Sequence, residues 1–220
     1  MNFLVDAMAW LADPANQTGP GGVWARTREH LAYTLVATGG AAALGVPLGY
    51  FIGHTGRARG LVVGATGAAR ALPTLGVLTL IALLVGVGVG APLIALGVLA
   101  VPSILAGAYA GVESVDPTTV DSARAIGLSE WQVLARVEIP LGLPQLLGGL
   151  RSATLQVLAT ATLVAYVGGG GLGRFLFLGL KTQDYPQMLA ASLLVVGLAV
   201  AGELIFETLT KGVELLVHRG

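Results

Sequence analysis

Long apolar segments alternate with short polar ones along the chain, and this pattern predicts membrane-spanning helices. A helix needs roughly 20 apolar residues to cross the hydrocarbon core of a bilayer. Runs of this kind cover residues 31–52, 61–85, 92–111, 141–167 and 188–209. Backbone polar groups must be satisfied within lipid, and the period-two alternation of a barrel is weak here. The pattern therefore predicts an all-α integral membrane protein, a bundle of five spans.

The second apolar run is interrupted by Arg70-Ala71-Leu72-Pro73. Pro73 removes one hydrogen bond from any helix that passes through it. In one interpretation this motif divides the run into a short and a full segment, which gives six spans instead of five.

The segments outside the apolar runs set the predicted organisation. Residues 1–30 form an N-terminal extracytoplasmic or interfacial segment, and the apolar spacing within 1–12 predicts a short helix lying in the membrane interface. Residues 31–211 form the transmembrane domain, and residues 212–220 form a cytoplasmic tail.

A polar stretch from Asp116 to Pro140 separates the third and fourth predicted spans. Asp116 is a good N-cap, because its carboxylate can accept hydrogen bonds from the free N–H groups of a first helical turn, and Pro117 suits the first helical position. The helix that begins there is predicted to end at Gly127, which lacks a Cβ and can adopt the left-handed conformation.

A second short helix is predicted to follow. Ser129 and Gln132 have the spacing of a capping box, and Pro140 is expected to end this helix. The product is a helix–glycine–helix elbow, 116–140, whose charges alternate in sign and which carries an apolar side, as expected of a docking element. The charged residues are Asp121, Arg124, Glu130, Arg136 and Glu138, and the apolar ones are Val120, Ile126, Leu128, Trp131 and Leu134.

Composition agrees with a membrane setting. Of the 220 residues, 55% are hydrophobic and only 11% are charged, and the mean hydropathy is +0.80. A net charge of zero gives no electrostatic reason to bind nucleic acid. The absence of cysteine excludes disulfides, thiolate metal sites and cysteine nucleophiles. The histidines, which are predicted to be solvated interfacial residues and not metal ligands, are His30, His54 and His218.

Glycines mark predicted contact faces between helices. Gly45, Gly49 and Gly53 recur every four residues in the first span, and Gly107 and Gly111 do so in the third. Such spacing lets helix backbones approach closely in lipid. Packing is the simpler interpretation, and sliding of these faces during a transport cycle is compatible with it.

The glycine-rich run 168–173 formally fits the G-x-G-x-x-G pattern. A dinucleotide site needs a strand before such a run, whereas an apolar helix precedes this one. The chain also has no G-x-x-x-x-G-K-[ST] sequence. If ATP drives this protein, another subunit must bind it.

Ionisable residues at membrane depth are functional candidates. Four such residues, Arg70, Arg151, Glu203 and Glu207, fall in the predicted spans. Arg151 and Glu203 lie at similar depth on neighbouring spans, so we expect an ion pair that closes the bundle, with direct substrate contact as the alternative. Glu113 is expected to anchor the approach to the elbow.

Loop charges predict the orientation. The loop 54–60, the elbow and the C-terminus are basic and share one side of a five-span protein, which the positive-inside rule makes cytoplasmic. The N-terminus is then outside and the C-terminus inside. Four cations oppose this bias: Arg26, Arg28, Arg174 and Lys181.

The elbow resembles the signature of the permease subunits of ABC importers, E-A-A…G…I-x-L-P. Here the sequence reads D-S-A-R-A-I-G, then nine residues, then V-E-I-P. The matching positions are Ala123, Gly127 and Pro140, and the departures are Asp121 for Glu, Ser122 for Ala, and Val137 and Ile139 for Ile and Leu. The similarity extends over nearly the whole chain.

The resemblance implies a non-catalytic subunit of a prokaryotic cell-membrane importer. In this family the elbow is a coupling helix in a cleft of a cytoplasmic ATPase, which binds ATP and Mg²⁺. It also implies a second permease subunit, identical or different, and an extracytoplasmic binding protein. The docking residues that it implies are Asp121, Ala123, Arg124, Gly127, Leu128, Trp131 and Pro140. Ala123 is expected to be small because a neighbouring surface approaches it.

Within this superfamily the chain is most similar to osmoprotectant permeases, which import glycine betaine, choline, carnitine or related compounds. A permease for methionine or another amino acid is the main alternative, followed by a secondary transporter. Aromatic residues are only 6% of the chain, and no aromatic cluster that would hold a quaternary ammonium ion is apparent in the sequence. This favours a path of low specificity that a separate receptor supplies.

Overall fold

In a computed structural model of the chain, the described residues are 2–60, 62, 64, 67, 71–86 and 88–217, with side chains described to 216. All regular structure within them is helical. The first helices are α1 (Phe3–Ala12), α2 (Pro14–Gln17), α3 (Val23–Thr55), α4 (Thr74–Val85) and α5 (Gly90–Glu113). The later ones are α6 (Pro117–Ala125), α7 (Glu130–Val133), α8 (Ile139–Thr160), α9 (Gly173–Thr182) and α10 (Tyr185–Val217).

Among the described residues, four helices are long and apolar enough to cross a membrane. They span Val23–Thr55, Gly90–Glu113, Glu130–Val167 and Tyr185–Leu216. These contain the predicted first, third, fourth and fifth spans, and the all-α prediction is confirmed. Each helix extends beyond its predicted apolar run, because hydropathy marks the lipid-facing length whereas a helix continues until its backbone is capped. α10 therefore continues past residue 212, the predicted start of the cytoplasmic tail.

The predicted interruption of the second span is present. α4 begins immediately after Pro73 and has 12 residues, fewer than a full crossing needs. Most of 61–70, including Arg70, lies outside the described residues, so the choice between five and six spans stays a prediction.

The predicted helix end at Pro140 is wrong, because the chain remains helical from Glu130 to Val167. A π-helical turn, Leu134–Glu138, joins α7 to α8, and in it the Ile139 N–H donates to the Leu134 carbonyl. This widened turn comes just before the proline, whose ring would clash with the carbonyl four residues earlier in a regular α-helix. The π turn thus carries the helix past Pro140.

The described chain packs as two compact units. The first comprises 1–37, 73–97 and 154–202, and the second comprises 38–72, 98–153 and 203–220. The elbow and the predicted glycine faces belong to the second unit.

Within the second unit, the glycines of α3 form the predicted contact face. A Cβ built on Gly49 would lie 2.6 Å from the Cβ of Ala108, and one on Gly53 would lie 2.8 Å from the Cβ of Val112. α3 therefore packs backbone-close against α5, as the four-residue spacing predicts.

α5 makes an equally close contact with α8. A Cβ on Gly107 would lie 2.7 Å from the Gly149 Cα, and one on Gly111 would lie 2.6 Å from the Gly142 carbonyl oxygen. Glycine meets glycine at both positions, so α5 and the elbow-bearing helix α8 touch through their backbones. Any displacement of α8 must therefore be accommodated along this contact.

Candidate functional site

The elbow begins with the predicted cap. The Asp116 Oδ1 accepts hydrogen bonds from the Thr118 backbone N–H and from its hydroxyl group, both at 2.8 Å. These bonds, the backbone one foremost, hold the pKa of the Asp116 carboxyl below its ordinary value. A depressed carboxyl pKa means that the cap is complete above the ordinary range of an aspartate and is lost only as the pH falls through the lowered value.

The turn at Gly127 is a full Schellman motif. Gly127 has φ +92°. Its N–H donates to the Arg124 carbonyl at 2.9 Å, and the Leu128 N–H donates to the Ala123 carbonyl at 3.2 Å. These two bonds satisfy carbonyls that the end of α6 leaves free. A Cβ built on Gly127 meets no atom within 4 Å, so backbone conformation, and not lack of space, is the reason for glycine here.

The second helix of the elbow also starts as predicted. The Ser129 N–H donates to Gln132 Oε1 at 2.9 Å, which is the reciprocal bond of the capping box. From this cap the helix runs into the π turn and the fourth span without a break.

The elbow has a buried side and an exposed tip. Some residues of the predicted apolar side lie in the buried part, and others lie at the tip. Val120, Ala123 and Val133 form a cluster with Val115, against which Leu128 and Val137 pack. The neighbouring surface that was expected to approach Ala123 is therefore formed, at least in part, by other residues of this chain. By contrast, Ile126 and Trp131 are 80% and 73% exposed. These two residues form the exposed apolar tip of the elbow.

An exposed ion pair links α6 to α7. Arg124 donates from Nε and Nη2 to the two carboxylate oxygens of Glu130, at 3.0 Å each. A second, longer contact at 3.3 Å joins Arg124 to Asp121. The hydrogen bond to Glu130 is the main cause of a raised pKa of Arg124. A bidentate pair of this kind adds geometric specificity even where solvent screens its energy.

His54, at the end of α3, joins this network. Its Nδ1 lies 2.5 Å from Glu138 Oε2, and its Nε2 lies 3.3 Å from Glu130 Oε2. Glu138, in the π turn, is buried. The prediction of a solvated His54 is therefore wrong, because the side chain binds two carboxylates of the elbow region. Nothing in the local sequence pairs His54 with residues so far along the chain.

His30 is also buried, and the prediction fails there too. Its Nε2 lies 2.9 Å from the Leu158 carbonyl oxygen. Beside it, Glu29 Oε2 accepts from the Gly171 N–H at 2.8 Å, and the Tyr33 hydroxyl accepts from the Gly170 N–H at 3.2 Å. Within the first unit the glycine-rich run is thus bound by side chains of α3. A 3₁₀ turn, Ala161–Val167, and not a strand, precedes the run.

The predicted membrane-depth pair is present. The Arg151 Nε donates to Glu203 Oε2 at 2.8 Å, and a second contact joins the same two groups. Glu207 instead pairs with Lys211 at 2.6 Å. Glu113 pairs with Arg59 of the loop after α3, consistent with an anchoring role near the elbow.

These features define a class of protein: a multi-pass helical membrane protein with a capped, partly apolar elbow on a continuous span. Residues 45–215 match the family described as binding-protein-dependent transport system inner membrane component. The match covers most of the chain, and the chain belongs to this family.

Curated relatives agree with this assignment. The chain is 33% identical to the glycine betaine/carnitine/choline transport system permease protein OpuCB of Bacillus subtilis, over 84% of this chain and 85% of that one. It is 30% identical, over the same shares, to the choline transport system permease protein OpuBB of that organism. It is 33% identical to the carnitine transport permease protein OpuCB of Listeria monocytogenes, over 81% and 82%.

Among solved structures, inward-facing forms of the MetNI methionine ABC transporter are similar in fold. One has a TM-score of 0.73 at 21% identity and covers 84% of this chain and 93% of its own. At this identity the similarity establishes the fold alone.

Proposed function

We propose that this chain is the transmembrane permease subunit of an ATP-driven importer that carries an osmoprotectant such as glycine betaine, choline or carnitine. The support for the cargo is the set of relatives that are 30–33% identical over most of their length and are named for these compounds. The methionine transporter shares the fold at 21% identity, which gives no comparable support for an amino acid as cargo.

The observation that carries the coupling role is the exposed apolar tip. Ile126 and Trp131 present large apolar side chains on a turn that is capped on both sides and braced by Arg124 and Glu130. Apolar residues held rigidly in the open are typical of a surface that another protein covers. We propose that this partner is an ATPase subunit, which binds ATP and Mg²⁺ and performs the hydrolysis.

The helix continues through Pro140 without a break, and this continuity supports a mechanism in which the elbow moves the fourth span. The tip residue Trp131 lies on the same unbroken helix as the fourth span, Glu130–Val167. A movement imposed on the elbow is therefore passed to a membrane span without an intervening flexible loop. Closure of the ATPase dimer would displace the elbow and shift the balance between inward-open and outward-open forms.

The proposed arrangement has three further parts. A second permease subunit, identical or different, completes the pathway, and an extracytoplasmic binding protein delivers the cargo. The loop charges favour an N-terminus outside and a C-terminus inside a prokaryotic cell membrane, which places the elbow in the cytoplasm. In this scheme Arg151 and Glu203 close the bundle and do not contact the cargo.

The proposed function is tested by identifying the proteins that associate with the chain. The chain is purified from its native membrane, co-purifying subunits are identified, and the associated binding protein is titrated with glycine betaine, choline, carnitine and methionine. We expect an ATP-binding subunit to co-purify and the receptor to bind the quaternary ammonium compounds. A receptor that binds methionine alone would overturn the proposed cargo, and repeated absence of any ATPase would overturn the ATP-driven mechanism.

A further inference from the structure

A pocket of about 490 Å³ lies within the first unit, where the start of α3 meets the 3₁₀ turn and α9. Its charged lining residues are all cations, namely Arg26, Arg174 and Lys181. Its apolar wall comes from α9 and consists of Phe175, Phe177 and Leu178. The pocket therefore combines positive charge with an apolar surface.

The three cations keep hydrogen-bond donors that the chain does not use. Arg26 donates from Nη1 to Glu29 Oε2 at 2.8 Å, and Arg174 donates from Nε to the Gly169 carbonyl at 2.8 Å. A guanidinium has five N–H donors, so each arginine is held in place by one bond and offers the others to a ligand. The exposed ammonium of Lys181 has no hydrogen bond or ion pair with another described residue.

The charges around the pocket are unbalanced. Three cations line it, and the one carboxylate that pairs with any of them is that of Glu29, so the described group has a net positive charge. The same three residues are among the four cations that oppose the orientation predicted from the loop charges. A pocket of this charge attracts an anion, and a guanidinium fork matches the oxygens of a phosphate.

Exposed aromatic residues indicate how deep the pocket lies in the membrane. Trp24 and Tyr185 are exposed at the starts of α3 and α10, and Tyr166 is exposed next to the lining residue Ala165. Tryptophan and tyrosine are enriched where a membrane meets water, at the level of the lipid headgroups. On α9, Leu178 is exposed beside the cations, as in an amphipathic helix that lies in the interface. Phosphate groups of lipids are abundant at this depth.

We infer that this pocket binds the headgroup phosphate of an anionic phospholipid, with the acyl chains against the apolar wall of α9. The positive charge selects the anionic headgroup, and the wall suits acyl chains better than it suits the acidic side chains of a protein partner. Because Arg174 also bonds to Gly169, a lipid held by this side chain steadies the glycine-rich run. The inference goes beyond the proposed function, since it depends on neither the cargo nor the ATPase.

Native mass spectrometry of the full chain, released from detergent micelles, measures lipid binding directly. The chain is titrated with phosphatidylglycerol, with phosphatidylcholine of the same acyl chains, and with glycerol 3-phosphate, a soluble phosphate without chains. We expect a saturable phosphatidylglycerol adduct that is roughly 5-fold or more tighter than that of phosphatidylcholine, and weaker binding of glycerol 3-phosphate. Equal binding of the two lipids, or glycerol 3-phosphate that binds as tightly as phosphatidylglycerol, would overturn the inference.

Matched variants locate the site. Lys181→Gln removes one positive charge without breaking a contact within the described chain, so the fold should be kept while phosphatidylglycerol affinity falls roughly 5-fold. Arg28→Gln removes an exposed cation of α3 that does not line the pocket, and it should leave the affinity unchanged. A Lys181→Gln protein with normal affinity, or an equal loss in both variants, would contradict this location.

An acidic protein surface is the competing occupant, and the extracytoplasmic binding protein provides the comparison. If Lys181→Gln weakens association with that protein but leaves lipid affinity unchanged, the cations bind a protein and the lipid site is wrong. The lipid titration uses this chain alone. A receptor that binds methionine, or the absence of an ATPase, would therefore overturn parts of the proposed function and leave this inference standing.

Discussion

Gly127 holds a left-handed backbone conformation, φ +92°, in open space. A side chain there would meet no neighbour, so the only penalty of a substitution is conformational. For a residue with a Cβ this penalty is about 1–2 kcal/mol, and it is largest for a β-branched side chain. The position thus offers a way to disturb the turn without touching the packed core of the elbow.

We predict that Gly127→Val leaves the membrane helices folded but separates ATP hydrolysis from uptake, because the Schellman turn must rearrange and the tip is displaced. Gly127→Asn is the matched control, since Asn tolerates the left-handed region, and it should retain coupled uptake. Uptake and ATPase rates in proteoliposomes measure the effect. Normal uptake by a Gly127→Val transporter at equal expression would contradict the coupling role.

The helix caps and the turn of the elbow were predictable from the sequence, whereas contacts between residues far apart in the chain were not. The caps at Asp116 and Ser129 and the turn at Gly127 depend on neighbours within a few residues, so their side chains specify them. The contact of His54 with Glu138 joins residues far apart in the chain. A single sequence carries no signal for such a pair, and His54 was consequently placed in solvent.

At the scale of helices, glycine contacts set the packing in the second unit. A Cβ on Gly142 would lie 2.5 Å from the backbone of Gly111, whereas a Cβ on Gly148 of the same helix would meet nothing within 4 Å. The same substitution should therefore have opposite consequences at the two positions.

We predict that Gly142→Ala destabilises the protein by about 1–3 kcal/mol, because α5 and α8 must separate. Gly148→Ala should be neutral or stabilising by up to about 1 kcal/mol, since alanine has the higher helix propensity. Thermal unfolding in detergent compares the two variants. Equal unfolding midpoints would show that backbone contact between α5 and α8 does not limit stability.

The Arg151–Glu203 pair makes a second prediction at this scale. Arg151→Met or Glu203→Met alone leaves one charge without its partner, so each should destabilise the protein more than the double variant does. A double-mutant cycle of thermal stability should give a coupling of about 1 kcal/mol or more. Additive effects of the two substitutions would contradict a structural pair and favour separate roles.

Of two helix boundaries predicted at prolines, one was correct and the other was wrong. The interruption at Pro73 was predictable because proline removes a helical hydrogen bond, and α4 does start immediately after it. The same reasoning failed at Pro140, where the π turn Leu134–Glu138 carries the helix through. A proline predicts a local constraint on the backbone, but whether the helix ends or widens depends on packing around it, here the burial of Leu134 and Glu138.

For the whole molecule, apolar runs and family membership agree on a multi-pass membrane permease. The first, third, fourth and fifth spans were predictable because lipid imposes a length and a polarity on every crossing helix. A pocket between α3 and α7 was not, because its lining comes from residues 46–55 and 130–139, which meet only in the folded chain. The coupling role proposed for the elbow requires that an ATPase subunit binds its exposed tip.

Site-specific cross-linking can detect this contact without interference, because the chain contains no cysteine. Ile126→Cys at the tip and Leu180→Cys on α9, residues that are 80% and 59% exposed, are each treated with a short bifunctional maleimide reagent in the assembled transporter. We predict that Ile126→Cys yields an adduct with the co-purifying ATPase subunit and that Leu180→Cys does not. An ATPase that co-purifies but is never cross-linked from Ile126→Cys, or is cross-linked equally from both positions, would contradict the account.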